Sequence, residues 1–186
     1  MHRLKEKKLQ VLSLFYHIIQ RRFFPSKYQV LFNNITEDMA THWSYADFSG
    51  KKVLDLGADY GTTPEYFLHM GARKVIAVEG NQIFFSQLQE KFEFSSKVSC
   101  KNIWINSVEK LENLISDDID IAKVDIEGAE NYLLETSAIT KIPVWLIEAH
   151  SDEISDKLIK HFQIHDFETY QIMKHLLKMV KKHERK

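Results

Sequence analysis

The chain has 186 residues, 44% apolar and 27% charged, which suits one globular domain with a sizeable core. Its single cysteine, Cys100, excludes an internal disulfide and a multi-cysteine zinc site. No apolar run reaches the roughly 18–20 residues that cross a bilayer, so the expected setting is cytoplasmic, with no membrane span.

The net charge of −1 is unevenly placed. Residues 1–22 hold six Lys/Arg against Glu6, and residues 170–186 hold six against Glu184, so each end carries about +5. The stretch between them is left near −11.

In chain order, residues 2–22 read as a helix, with Leu4, Val11, Phe15 and Ile18 at helical spacing. Pro25 breaks that pattern, Thr36 offers a cap for a second short helix, and Gly50 marks a turn. Residues 1–48 are therefore expected to form an N-terminal helical extension. Residues 49–186 are expected to form the main layer of the same structural domain.

From residue 52 strands and helices alternate. "KVLDLG" (52–57) is a short apolar run stopped by glycine. "TTPEYFLHMGARK" is a helix with Thr63 as expected N-cap, Pro64 in the first turn and Gly71 at the C-terminal cap. "KVIAVEG" (74–80) is the second strand, and "NQIFFSQLQEKFEF" the next helix. "VSCKNIWI" is a third strand, followed by a short helix capped by Ser107. "DIDIAKVDIE" is a fourth strand, "AENYLLETSAI" a helix, "PVWLIEAH" a fifth strand and "SDEISDKLIKHF" its helix. "QIHDFETYQIM" leaves room for one or two strands, and a basic helix is expected to end the chain. Alternation of this length predicts an α/β fold, Rossmann-like, with a mainly parallel sheet flanked by helices. Ligands of such sheets bind outside the carboxyl ends of the strands.

That rule selects the candidate residues. "VLDLGADYG" places Asp55 near the end of the first strand, then Gly57, Ala58, Asp59, Tyr60 and Gly61 in the first loop. Glu79 ends the second strand, where an acid can accept hydrogen bonds from ribose hydroxyls; Gly80 and Asn81 follow. A dinucleotide site wants a second glycine where Asp59 stands, and an aspartate would repel a pyrophosphate. S-adenosyl-L-methionine, with an ammonium and a sulfonium, suits these acids better.

The motifs resemble those of class I S-adenosylmethionine-dependent methyltransferases. "VLDLGADYG" is similar to their first motif and "VIAVEGN" to their second-strand motif. "KVDIEGAE" (123–130) resembles the fourth-strand signature of the FkbM-type branch, and "VWLIEAH" its fifth strand. The resemblance covers residues 50–150. It departs from the usual A-N-x-G at Ala58-Asp59-Tyr60-Gly61, and Gly80 stands where proline is common. It implies cofactor contacts from Asp55, Gly57, Ala58, Asp59, Tyr60, Gly61, Glu79, Gly80, Asn81 and Asp125, with Asn106 and Ser107 at the adenine edge. The alternative for Ser107 is that it only caps its helix.

Asp125, Glu127, Glu148 and His150 are the candidate bases toward an acceptor hydroxyl. For Glu127 and Glu130 the other reading is favourable charge at the next helix's N-terminus, and it is preferred for Glu130. Lys123 reads as a structural cation paired with Asp55 or Glu148 in preference to a catalytic lysine. No spacing demands a metal and none is assigned; His161 and His165 read as a packed or solvated pair. The expected function is O-methylation of a small molecule or sugar. The alternatives are an RNA methyltransferase, favoured by the basic termini, or a non-catalytic nucleoside-binding module.

Overall fold

The computed structural model describes residues 39–182. The helix expected over 2–22, the Pro25 break and the Thr36 cap lie outside them. The chain divides into compact units at 1–41 and 42–186, and the second is described here.

Its elements run β1 (Lys52–Leu56), α1 (Thr62–His69), β2 (Lys74–Glu79), α2 (Gln82–Phe92), β3 (Val98–Asn102), α3 (Val108–Glu112) and β4 (Ile121–Val124). Two 3-10 segments follow, Glu130–Glu135 and Ala138–Lys141, then β5 (Val144–Glu148), α4 (Asp152–Ile164), β6 (Phe167–Gln171) and β7 (Leu176–Lys181). The seven strands lie in the order β3-β2-β1-β4-β5-β7-β6. β1 to β5 pair in parallel, and β7 is antiparallel to both β5 and β6. The order reverses between β1 and β4, which makes the carboxyl ends of those two strands the switch point.

The helix ends follow local chemistry. Asn81 caps α2 by accepting from Ile83 N (2.9 Å) and Phe84 N (3.4 Å). Ser107 caps α3 through Lys110 N (3.3 Å), and Ser151 caps α4 through Ile154 N (3.1 Å). α1 ends in a Schellman motif: Gly71 N bonds Leu68 O and Ala72 N bonds Phe67 O (3.1 and 2.9 Å). Its N-cap is Gly61, not Thr63. Thr63 is nearly buried and gives its hydroxyl to Asp55 instead, at 2.5 Å.

The two faces of the sheet carry different side chains, as the period of two requires. Leu54, Leu56, Val78, Ala122, Val124, Trp145 and Ile147 belong to one apolar cluster with Leu111, Leu133, Leu158 and Phe162. Val53, Asp55 and Lys123 share the opposite face by register. In the same unit Phe48 stacks on Phe67 (4.7 Å between centroids), and the Trp43 ring stands 5.2 Å from the Lys123 ammonium.

Three expected elements differ. "AENYLLETSAI" is not one α-helix but two 3-10 segments. Thr136 between them is extended, and its hydroxyl oxygen accepts from Ala138 N (3.0 Å), which competes with helical pairing. α4 continues to Ile164, past the point where a strand was expected to begin, because buried Phe162 packs edge-on against Trp145 and Phe167. The basic tail is strand β7, not a helix. Its lysines recur near helical spacing, but Leu176, Leu177 and Met179 are buried, and five register pairs on each side hold it between β5 and β6. Tertiary pairing overrides local preference here.

Candidate functional site

At the switch point the chain leaves β1 through Gly57, at φ +81°. A Cβ there would stand 1.8 Å from the Asp125 carbonyl oxygen, so only glycine fits where the exits of β1 and β4 cross. Gly57 N and Ala58 N both donate to Val78 O at 3.0 Å, tying the loop to β2. Gly61, at φ +87°, is forced by protein packing: a Cβ would meet Phe92 at 2.6 Å and Leu88 at 3.0 Å. Both glycines expected to admit a ligand are therefore required by the fold itself. Tyr60 lies on the same loop, half exposed, with its ring 4.5 Å from that of Phe84.

Glu79, 7% exposed, ends β2 and braces both flanking loops. Its carboxylate accepts from Asp59 N (2.9 Å) and Asn81 N (2.6 Å). Each oxygen keeps a second lone pair for a further donor. Asp59 has a positive φ of 46°. Partial burial raises its carboxyl above the usual range, with Glu79, Asp125 and Glu127 adding to this against the pull of Lys123. The mouth of the site is thus crowded with acid.

Below it lies a charge pair within the sheet. Lys123 and Asp55 are register partners, both fully buried, with Nζ 3.2 Å from Oδ1. Lys123 also donates to Gly57 O at 2.5 Å and stands 3.6 Å from Asp125 Oδ2. Burial opposes its charge, but Asp55 and Asp125 outweigh this and raise its pKa. Asp55 is raised by burial, which Lys123 and Thr63 only partly offset. The expected Lys123–Asp55 pair is present. The Asp55 carboxylate, for which the resemblance implied a cofactor contact, faces Lys123 and Thr63.

Asp125 follows β4, and its side chain is 30% exposed. Its Oδ1 faces His150 Nε2 at 3.8 Å across the carboxyl ends of β4 and β5. His150 Nδ1 is hydrogen-bonded to Glu130, whose side chain is 1% exposed. Burial works to lower the His150 pKa, but the bond and charge of Glu130, with Asp125 and Glu127, raise it. Glu130 was expected to act as a charge at a helix start. It does open the first 3-10 segment, but its carboxylate is buried as the partner of His150. Glu148 ends β5, half buried.

Asn81 and Ser107 each spend a side-chain oxygen on a helix cap, and Asn106, next to Ser107 in the chain, is exposed. Trp104, which composition did not single out, is 64% exposed and stands against Gly80, where a Cβ would lie 2.8 Å from its ring. A large exposed aromatic at a strand end was the available signal. Among the described residues no helix is long and apolar enough to cross a membrane, and no group of three or more His, Cys, Asp or Glu is arranged to hold a metal ion.

Solved structures share this architecture. Aeropyrum pernix fibrillarin, in complex with natively bound S-adenosyl-L-methionine, aligns at TM-score 0.60 and 14% identity, over 78% of this chain and 75% of that one. The fold is that of the S-adenosylmethionine-dependent methyltransferases. Magnesium protoporphyrin IX methyltransferase from Synechocystis aligns at 0.58 and 12% identity, over 81% and 79%. The Methanococcus jannaschii fibrillarin, a pre-rRNA processing protein, aligns at 0.56 and 16%, over 80% and 75%. By sequence, the chain is 31% identical over 112 residues to uncharacterized protein 158B of Sulfolobus islandicus rod-shaped virus 1, covering 58% of this chain and 66% of that one. It is 29% identical over 107 residues to uncharacterized protein 65 of Sulfolobus islandicus filamentous virus, covering 56% and 62%. The matches span just under two thirds of those relatives. No family model matches the chain.

Proposed function

We propose that the protein is an S-adenosylmethionine-dependent methyltransferase, FkbM-like in its fourth strand, that methylates an oxygen of a small molecule or sugar. The observation that carries this reading is the acid-rich mouth at the switch point. Glu79, Asp59, Asp125 and Glu127 surround the exit of β1, and the only described cation at their centre, Lys123, is already paired with Asp55. Such a donor set repels a pyrophosphate and suits a cofactor bearing an ammonium and a sulfonium. The cofactor would supply an activated methyl group.

The residues of this chain have separate tasks. The free lone pairs of Glu79 suit ribose hydroxyls, and Trp104 with Asn106 and Ser107 would border the adenine. Asp59 and the first loop would face the amino-acid end. Methyl transfer is an in-line displacement, so alignment of the acceptor supplies most of the rate. A base among Asp125, Glu127, Glu148 and His150 would take the acceptor's proton. RNA as acceptor is the second reading. It is favoured by the basic termini and by the pre-rRNA role of a protein of the same fold.

A thermal shift with S-adenosylhomocysteine tests the shared cofactor. At about 100 times Kd, binding adds about 2.7 kcal/mol and raises Tm; an unmoved Tm at millimolar ligand overturns both readings. Glu79→Ala is expected to weaken that shift. RNA retention falling steeply with salt would promote the second reading.

A further inference from the structure

Acceptor chemistry can be read one step further, and this step rests on the methyl-transfer reading. We propose that Glu130 and His150 form a proton-accepting dyad. Glu130 holds the imidazole through Nδ1, and Nε2 takes the proton from an acceptor hydroxyl seated beside Asp125.

Three features carry this. Glu130 is buried while the His150 side chain remains 34% exposed, so one ring nitrogen is fixed from inside and the other faces the mouth. A buried carboxylate can only accept a hydrogen bond, so Nδ1 carries the proton and neutral His150 keeps its lone pair on Nε2. Lastly, Nε2 and Asp125 Oδ1 are 3.8 Å apart, too far for a direct hydrogen bond. A hydroxyl about 2.8 Å from Nε2 gives its one proton there, and Asp125 is left to accept from a neighbouring hydroxyl of the same acceptor. Asp125 is itself held from behind, since its other oxygen faces Lys123 at 3.6 Å. Asp55, Lys123, Asp125, His150 and Glu130 thus form one line of contacts, and a proton arriving on Nε2 makes the charges along it alternate.

The step balances. The acceptor O–H bond breaks with its proton going to Nε2, and an oxygen lone pair forms the new O–C bond. The methyl–sulfur bond breaks with its electron pair left on sulfur. His150 is the catalytic base, and Glu130 is a positioning residue. The acceptor this dyad serves is a neutral hydroxyl, as in a sugar or phenol, whose proton must leave as the O–C bond forms. The charged groups facing His150 are Glu130 from the first 3-10 segment, and Asp125 and Glu127 from the end of β4.

The first test needs neither cofactor nor acceptor. Long-range nitrogen–proton NMR of the full chain, with His150→Gln for assignment, reports the tautomer and titration of the ring. The neutral ring is expected as the Nδ1–H form, titrating above ordinary histidine. In Glu130→Gln the midpoint should fall and the Nδ1–H preference weaken. A wild-type Nε2–H ring, or a Glu130→Gln titration equal to wild type, overturns the dyad.

The second test follows S-adenosylhomocysteine formation with a panel of hydroxyl and amine acceptors. His150→Gln should lose about 10²–10⁴-fold in kcat. Glu130→Gln should move the rising limb of the pH profile to lower pH with KM unchanged; a merely structural pair would leave that limb in place. Turnover on amines alone, or activity lost to chelation and restored by a divalent cation, also overturns the proposal. Failure of the methyl-transfer reading is distinguishable: S-adenosylhomocysteine would then leave Tm unmoved while the NMR result stood.

Discussion

Gly57 and Lys123 carry much of what holds the switch point together, for opposite physical reasons. Gly57 is needed because a side chain has nowhere to go: the Asp125 carbonyl occupies the Cβ position and the backbone is left-handed. Gly57→Ala is expected to cost at least about 3 kcal/mol in urea melts, since β1 and β4 would have to part. Lys123 is needed because Asp55 is buried beside it. Lys123→Met removes one charge and strands the other, at about 3–5 kcal/mol. The double variant Lys123→Met/Asp55→Asn should recover a large part of this, because the uncompensated charge is gone; melts of the two single variants and the double variant form the check. Both residues were legible in sequence, one as the stop to an apolar run and one as a lysine inside it. Glu130 was not, because an acid at the start of a helical stretch has an adequate local explanation. Only its burial against His150, twenty residues on, separates the two roles.

Individual elements show where local signals suffice. Asn81 and Ser107 were placed by position at strand ends, and each proves to cap the helix that follows. Asn81→Ala should lower stability by about 1 kcal/mol in chemical denaturation, while Asn81→Ser should keep most of it. Equal losses for both would point to a role other than capping. Strand–helix alternation through β5 was readable because apolar runs and glycine stops are short-range features. The segment after β4 and the chain end were misread for different reasons. Thr136 diverts one candidate helix through its own hydroxyl, and β7 is a strand because it slots between β5 and β6. The first effect spans two residues, whereas the β5 pairing joins positions 28 to 36 apart, from Glu148–Leu176 to Val144–Val180.

Across the molecule, the link between the ends of β4 and β5 through Glu130 and His150 makes stability depend on pH. The folded state raises the His150 pKa. Its contribution is therefore fully present below the ordinary histidine value and is lost as pH rises through the raised folded value. Urea midpoints measured from about pH 6 to about pH 9 should fall more in wild type than in His150→Gln. A parallel decline in the two would remove the pair as the cause. The sequence by itself determined the mainly parallel α/β sheet, the switch-point mouth and most of its acids, because strand period, glycine stops and caps act over a few residues. Only the tertiary structure decided what those acids face: Asp55 inward to Lys123, Glu79 across two loops, and Glu130 beneath His150. Lys123 is 68 positions from Asp55, Asp59 is 20 from Glu79 and His150 is 20 from Glu130, and the energy of a buried charge depends on which group stands a few ångströms from it, not on its neighbours along the chain.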